Sequence, residues 1–240
     1  MIGTALNVAA ILAGGITGLV RRKPFSPAQE AYLKVALGVF TTFYGLRLAW
    51  LSANGPFGLI LKQLVVAIVA LMLGRITGRL LRLQQLSNRL GRDARDRMTN
   101  TRPNDPTRLS QGFTVCAQLY CAAPLAFLGS VQDGLAGYFY PLAVKAAMDG
   151  LATMGFARLF GWGVILAALP VLALQGSLTL GCELFLKPWL TTHGLIDSVN
   201  LTGGLLVSCV ALVILEVKRI ELADYLPSLA FAPLLAWLFR

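Results

Sequence analysis

Long apolar runs alternate with short polar connections from one end of this 240-residue chain to the other. Eight runs stand out, at roughly 2–20, 34–51, 57–75, 112–131, 139–158, 162–186, 201–218 and 223–239. Most are about 18 to 22 residues long, the length a helix needs to cross a hydrocarbon core roughly 30 Å thick. Backbone groups in lipid must be bonded within the chain, and these runs lack the alternation of barrel strands, so helices are expected. The pattern predicts an all-α polytopic membrane bundle of about eight transmembrane helices, a single domain over residues 1–240. The eighth run is short, carries Asp224 and is interrupted by Pro227 and Pro233. It reads as a kinked, tilted or re-entrant span.

One long polar segment breaks the rhythm, "LQQLSNRLGRDARDRMTNTRPNDPTRLSQ", between the third and fourth runs. Leu80, Leu83, Leu86 and Leu90 recur there at helical spacing among arginines, so the third helix is expected to run on into the membrane interface. Residues 84–110 then form a basic cytoplasmic loop, either touching anionic lipid headgroups or simply solvated.

Composition agrees with the pattern. Hydrophobic residues make up 56% of the chain and charged residues 13%, against roughly 25% charged in soluble domains. The net charge of +10 is explained by topology rather than by nucleic acid. With the N-terminus outside, sixteen Lys and Arg residues fall on one face, among them Arg21, Arg22, Lys23, Lys34, the Arg75–Arg108 group, Arg158, Lys218 and Arg219. Only Lys62, Lys187 and Arg240 fall on the other. The positive-inside rule makes the richer face cytoplasmic and leaves both termini outside. Trp50, Trp189 and Trp237 then sit at the outer interface and Trp162 at the inner one, the levels amphipathic rings prefer. The first run lacks a charged n-region and is followed by its positive cluster, so it reads as a retained span and not a signal peptide.

Two charges have no place in this scheme. In "YPLAVKAAMDGLATMG", Lys145 and Asp149 lie inside the fifth run. Each costs about 2.5 to 3.5 kcal/mol near a helix centre, more than the apolar residues of that run return. Their i,i+4 spacing puts them on one face, which must turn toward protein or water. Either the pair lines a solute or ion path, with Asp149 as proton or cation site, or it is a structural lock from which the lysine snorkels outward. Asn7, Gln132 and Gln175 are the amides expected to share that interior, with Asp133, Gln118 and Glu183 as further candidates. Arg47, near the outer end of its span, is expected to snorkel. Gly14 with Gly18 and Gly74 with Gly78 form GxxxG motifs, which serve an internal helix contact or a homodimer.

Enzyme chemistry finds no foothold in the sequence. The single histidine, His193 in "HGLID", is one residue short of an acyltransferase HxxxxD spacing, and GxSxG, HExxH and Walker loops are absent. Cys116, Cys121, Cys182 and Cys209 lie in apolar runs without CxxC spacing, so neither a disulfide framework nor a metal site is expected, and no cofactor is implied.

Several stretches resemble domain-of-unknown-function family 554, a group of bacterial multi-pass inner-membrane proteins labelled as transport proteins. They are "GTALNVAAILAGGITGL", "LYCAAPLAFLGSVQDGL", "LAVKAAMDGLATMGFA", "GWGVILAALPVLALQG", "LTGGLLVSCVAL" and "YLPSLAFAPLL". The resemblance marks Asn7, Gly129, Gln132, Gly134, Lys145, Asp149, Gly150, Gln175 and Pro227; Arg79 and Ala123 depart from it, standing where relatives carry glutamate and glycine. It implies the bundle architecture and an inner-membrane address. A weak internal echo between "LGVFTTFYGLRLAW" and "GGLLVSCVALVILE" suggests that spans 1–3 and 6–8 form an inverted repeat, a transporter signature. The expectation is a non-catalytic small-solute or ion transporter or channel; the alternative is a membrane scaffold or lipid-interacting protein.

Overall fold

In the computed structural model, which describes residues 1–21, 25–100 and 106–239, helices begin and end where capping side chains, proline and glycine interrupt the apolar pattern. Arg22, Lys23, Arg102 and Arg240, counted in the charge distribution above, lie outside the described residues. The chain forms α1 (Ile2–Val20), α2 (Pro27–Ser52), α3 (Phe57–Leu80), α4 (Leu83–Asn100), α5 (Arg108–Ala122), α6 (Pro124–Ala136) and α7 (Tyr140–Phe160). A 3₁₀ turn at Gly161–Ala167 leads into α8 (Ala168–Gly181), and a π turn at Cys182–Leu186 into α9 (Lys187–Thr192). Then come α10 (Ile196–Ile214), α11 (Leu222–Tyr225) and α12 (Ser228–Leu238). The protein is an all-α bundle with five helical stretches long and apolar enough to cross a membrane, or six if the bent pair α5–α6 counts as one.

The boundaries differ from the hydropathy reading for local reasons. Helix α2 starts well before its apolar run because Ser26 and Gln29 form a capping box: the Ser26 hydroxyl accepts from the Gln29 amide at 3.3 Å, and the Gln29 side chain accepts from the Ser26 amide at 3.0 Å. The fourth span is not straight. Pro124 forces Ala123 out of helical geometry (φ −65°, ψ 127°) and α5 and α6 meet at a 58° bend. Gly161 takes φ +79°, a conformation glycine adopts without Cβ strain, and ends α7. Pro188 brings no N–H to the helical ladder, consistent with the π turn that precedes it. The expected extension of α3 exists but is interrupted: Arg82 has φ +56°, after which the polar segment continues as helix α4, its Ala94 buried against α5. Span seven runs over Ile196–Ile214, earlier than hydropathy suggested: the chain turns at His193–Gly194, where Gly194 takes φ +60°, just before it, and Glu216 (φ +56°) follows its end.

Helices α1 and α7 form the most extensive seam, followed by α2 with α10; α5 also packs on the Gly161–Ala167 turn and α3 on α12. Glycines make the close approaches. A Cβ on Gly14 would lie 2.1 Å from the Gly150 carbonyl oxygen, and one on Gly18 2.4 Å from that of Met154. On the other side of the bundle, Gly74 abuts the Ser228 amide and Gly78 the Asp224 carbonyl, where a Cβ would come within 2.5 and 2.1 Å. Both GxxxG motifs are therefore used inside the chain, and those faces are covered.

The outside is apolar. Leu61, Val65, Ile68, Met72 and Ile76 form an exposed stripe down α3, and Val35, Val39, Phe43 and Leu46 another down α2. Contiguous patches of that size are tolerated against lipid but not against water. Trp50, Trp162, Trp189 and Trp237 are all exposed.

The seam supplies a test. Gly14→Val puts a branched side chain into backbone that has no side chain to displace, and should destabilise the protein by about 3 kcal/mol or more. Gly155→Ala, on α7 with nothing within 4 Å of the added methyl, should be neutral or stabilising by about 1 kcal/mol. Thermal unfolding of detergent-purified protein followed by size-exclusion profile checks both.

Candidate intramembrane site

Helix α7 carries Lys145 and Asp149 one turn apart on its inner face, and both are buried, at 2% and 7% of full exposure. The Lys145 ammonium bonds to Asp149 Oδ2. Helix α1 supplies the next group: Asn7 Nδ2 donates to the same Oδ2 at 3.1 Å and to Gln175 Oε1 of α8 at 3.3 Å. The facing carboxylate decides the amide orientation, since the Asn7 oxygen turned that way would meet two acceptors. Four of the five nominated polar side chains thus form one buried cluster across α1, α7 and α8.

Two residues that sequence reasoning missed complete it. The Tyr120 ring on α5 faces the Lys145 ammonium, 5.6 Å from its centroid, a cation–π contact that gains strength when desolvated. The Tyr120 hydroxyl lies 2.7 Å from Thr153 Oγ1, which itself donates to the Asp149 carbonyl at 2.6 Å. The tyrosine is therefore the donor of that pair. A tyrosine and a threonine in apolar spans are unremarkable in sequence; only the packing of α5 against α7 brings Tyr120 over the lysine.

Gln132, the fifth, does not reach the cluster. It is fully buried on α6, and its amide nitrogen would lie 2.2 Å from a Cβ placed on Gly203 of α10. Its neighbour Asp133 accepts from the Gly3 amide at 3.1 Å and pairs with the Met1 ammonium at 3.3 Å, so the start of the chain is clamped to α6. Gln118 keeps a buried side-chain oxygen without a partner, Glu183 is exposed on the π turn, and Arg47 is exposed beside the Tyr44 ring.

Several polar atoms remain unmatched. Among the described residues, Thr4 Oγ1, Asn7 Oδ1, Ser130 Oγ, both amide atoms of Gln132, Gln175 Nε2, Thr179 Oγ1 and Asn200 Oδ1 are buried without a hydrogen-bond partner. They sit on α1, α6, α8 and α10. An orphan of this kind costs about 1–3 kcal/mol. Among the described residues, no three His, Cys, Asp or Glu side chains converge as a metal site.

The family profile described as "Protein of unknown function (DUF554)" matches residues 2–237. The chain belongs to the DUF554 family. It is a bacterial multi-pass inner-membrane protein. It is similar to the "Uncharacterized membrane protein YdfK" of Bacillus subtilis (strain 168), 26% identical over 240 residues, covering 100% of this chain and 97% of the relative. It is also similar to the "Uncharacterized protein YqgA" of Escherichia coli (strain K12), 26% identical over 234 residues, 97% of this chain and 94% of the relative. No solved structure matches the chain.

The cluster makes a stability prediction. Asp149→Asn leaves the Lys145 charge buried without its counter-ion and should cost about 3–5 kcal/mol. The double substitution Lys145→Met/Asp149→Leu removes both charges and should recover most of that loss. The midpoint of thermal unfolding in detergent, compared across the three proteins, measures both.

Proposed function

We propose that this DUF554 protein is a non-catalytic transporter or channel for a small solute or ion, with its polar intramembrane site around Lys145 and Asp149. The observation that carries this reading is the number of buried, unmatched polar atoms on the helices that hold the pair and its partners, Asn7 Oδ1 and Gln175 Nε2 of the cluster itself among them. Thr4 and Asn7 succeed each other by one turn on α1 and Thr179 and Gln175 on α8, while α6, which packs on α8, adds Ser130; Gln132 lies apart, beside Gly203 of α10. A body with no solute or water to meet gains nothing from leaving such groups in oil. In this reading Asp149 takes up a proton or cation, Lys145 compensates its charge, and the Asn7 and Gln175 amides orient what passes.

The topology proposed with it has eight passes. The helical stretch Tyr140–Thr192 is 53 residues long, roughly 80 Å at about 1.5 Å per residue, far more than one crossing. It folds back at Gly161, and both α7 and α8 pack against α1. Contacts between segment ends agree with an outside N-terminus. On the cytoplasmic side, Lys34 pairs with Glu216 at 2.5 Å, Arg79 with Glu221 at 3.2 Å, and the Arg108 guanidinium donates to the Leu159 and Arg158 carbonyls. The Lys34 hydrogen bond holds the Glu216 carboxyl below its usual range. On the outer side, Met1 meets Asp133. Packing of α1 on α8, α2 on α10 and α3 on α12 is what an inverted repeat of spans 1–3 and 6–8 would produce.

A second reading, a scaffold or lipid-interacting protein in which the pair is a lock, is favoured by a different observation: Lys145 and Asp149 sit beside the tight Gly14–Gly150 crossing and bind each other across little open space. Reconstituted vesicles separate the two. Proton entry, read by a trapped pH-sensitive dye under imposed Na⁺ or K⁺ gradients, is expected from the parent protein. It should fall at least about 10-fold in Asp149→Asn preparations that remain assembled, a loss of roughly 1.4 kcal/mol or more. The charge swap Lys145→Asp/Asp149→Lys should restore assembly without flux. No flux from the parent, with assembly lost in both single variants, would establish the lock.

A further inference from the structure

A second polar feature lies away from the Lys145 cluster. A cavity of about 1290 Å³ opens between α3, α4 and the segment that follows α10. Arg75, Arg79, Arg92, Arg95, Lys218 and Arg219 line it, with Glu221 as the one carboxylate. Glu221 is taken by Arg79, and Arg75 lies against the Tyr225 ring, 5.7 Å from its centroid. Arg92, Arg95, Lys218 and Arg219 have no ion-pair partner among the described residues. Four uncompensated cations around one concavity repel each other unless an anion enters. Asn88, Ser87 and Gln84 add hydrogen-bonding groups to the same wall.

The depth of the cavity narrows the class of anion. Its inner wall is Leu71, Leu119 and Leu206. Leu71 lies eight residues inside Arg79 on α3, about 12 Å deeper along the helix. On the other side of α4 runs an apolar groove of about 520 Å³, lined by Leu83, Leu86, Leu90, Phe127 and Leu226. Ser87 lines both spaces. A basic chamber and an apolar trough therefore meet beneath one amphipathic helix, at the face that carries most of the positive charge. A small soluble phosphate would use the chamber and leave the trough empty. A phosphate ester carrying an acyl chain matches both.

We propose that α4 is a lipid clasp: an anionic phospholipid of the cytoplasmic leaflet places its phosphate group among Arg92, Arg95, Lys218 and Arg219 and lays an acyl chain in the Leu83–Leu86–Leu90 groove. The clasp is independent of the transport reading. Arg92 and Arg95 are exposed and bond no other described residue, so their replacement leaves the bundle intact. Arg82 and Arg89 lie on or beside the same helix, outside the cavity, and provide a matched control.

Native mass spectrometry of the detergent-purified full chain is the test, with phosphatidylcholine, phosphatidylglycerol and diphosphatidylglycerol as lipid probes and inorganic pyrophosphate as the soluble probe. Saturable retention of one anionic lipid, with little retention of phosphatidylcholine, is expected. Arg92→Gln/Arg95→Gln should weaken it roughly 10- to 30-fold, from about 1 kcal/mol per basic residue at an anionic surface. Arg82→Gln/Arg89→Gln should leave it unchanged. Leu86→Glu, which puts a carboxylate into the groove, should weaken lipid retention while leaving pyrophosphate binding as it was. Equal losses in the control pair would mean diffuse surface attraction and overturn the clasp. Tight pyrophosphate binding without lipid retention would make the ligand a soluble phosphate compound and equally overturn it.

Discussion

The fold depends on the cost of holding one lysine and one aspartate in oil. A helix of α7's composition cannot show that face to lipid, so the face must find protein. It finds α1, and the match is close because Gly14 and Gly18 meet Gly150 and Met154 without intervening side chains. That approach brings Asn7 within hydrogen-bonding reach of Asp149. The glycine seam and the charged pair are thus one device: close backbones supply the polar partner, and the polar partner makes burial of the charges tolerable.

Breaks in the helices do the rest of the positioning. The fourth span bends by 58° at Ala123–Pro124; Tyr120, on the α5 side, holds its ring over the ammonium, and Gln132 and Asp133 lie buried on the α6 side. Gly161 lets the chain return beside α1, which brings Gln175 to Asn7. At the opposite end, the Gln84 amide donates to Asp224 Oδ1 at 2.9 Å and the Ala223 amide donates to Gln84 Oε1 at 3.1 Å, which ties α4 to α11. The basic cavity exists because that tie holds a polar helix against the end of the bundle.

Much of this was legible in the chain. Apolar run length, the lopsided placement of Lys and Arg and the outlying tryptophans carried the membrane assignment. The i,i+4 spacing of Lys145 and Asp149 already implied their pairing. Hydropathy does not mark the start of α2, because it weighs side-chain oiliness and not the hydrogen bonds of the Ser26–Gln29 capping box. Glu183 and Gln175 are similar in sequence setting, yet one is exposed and the other buried, since a single residue of helical rotation separates lipid from core.

The amino-acid sequence alone determined that the protein lives in a membrane, because transfer of apolar surface depends on composition and run length and hardly on neighbours. It also determined that Lys145 and Asp149 share a face, because helix periodicity is local. Only the tertiary structure decided that Asn7 and Gln175 join them, that Tyr120 covers them and that Gln132 stays apart. Those meetings are set by crossing geometry, glycine approaches and proline bends that join distant stretches of the chain, Asn7 and Asp149 across 142 positions, and no local pattern records them.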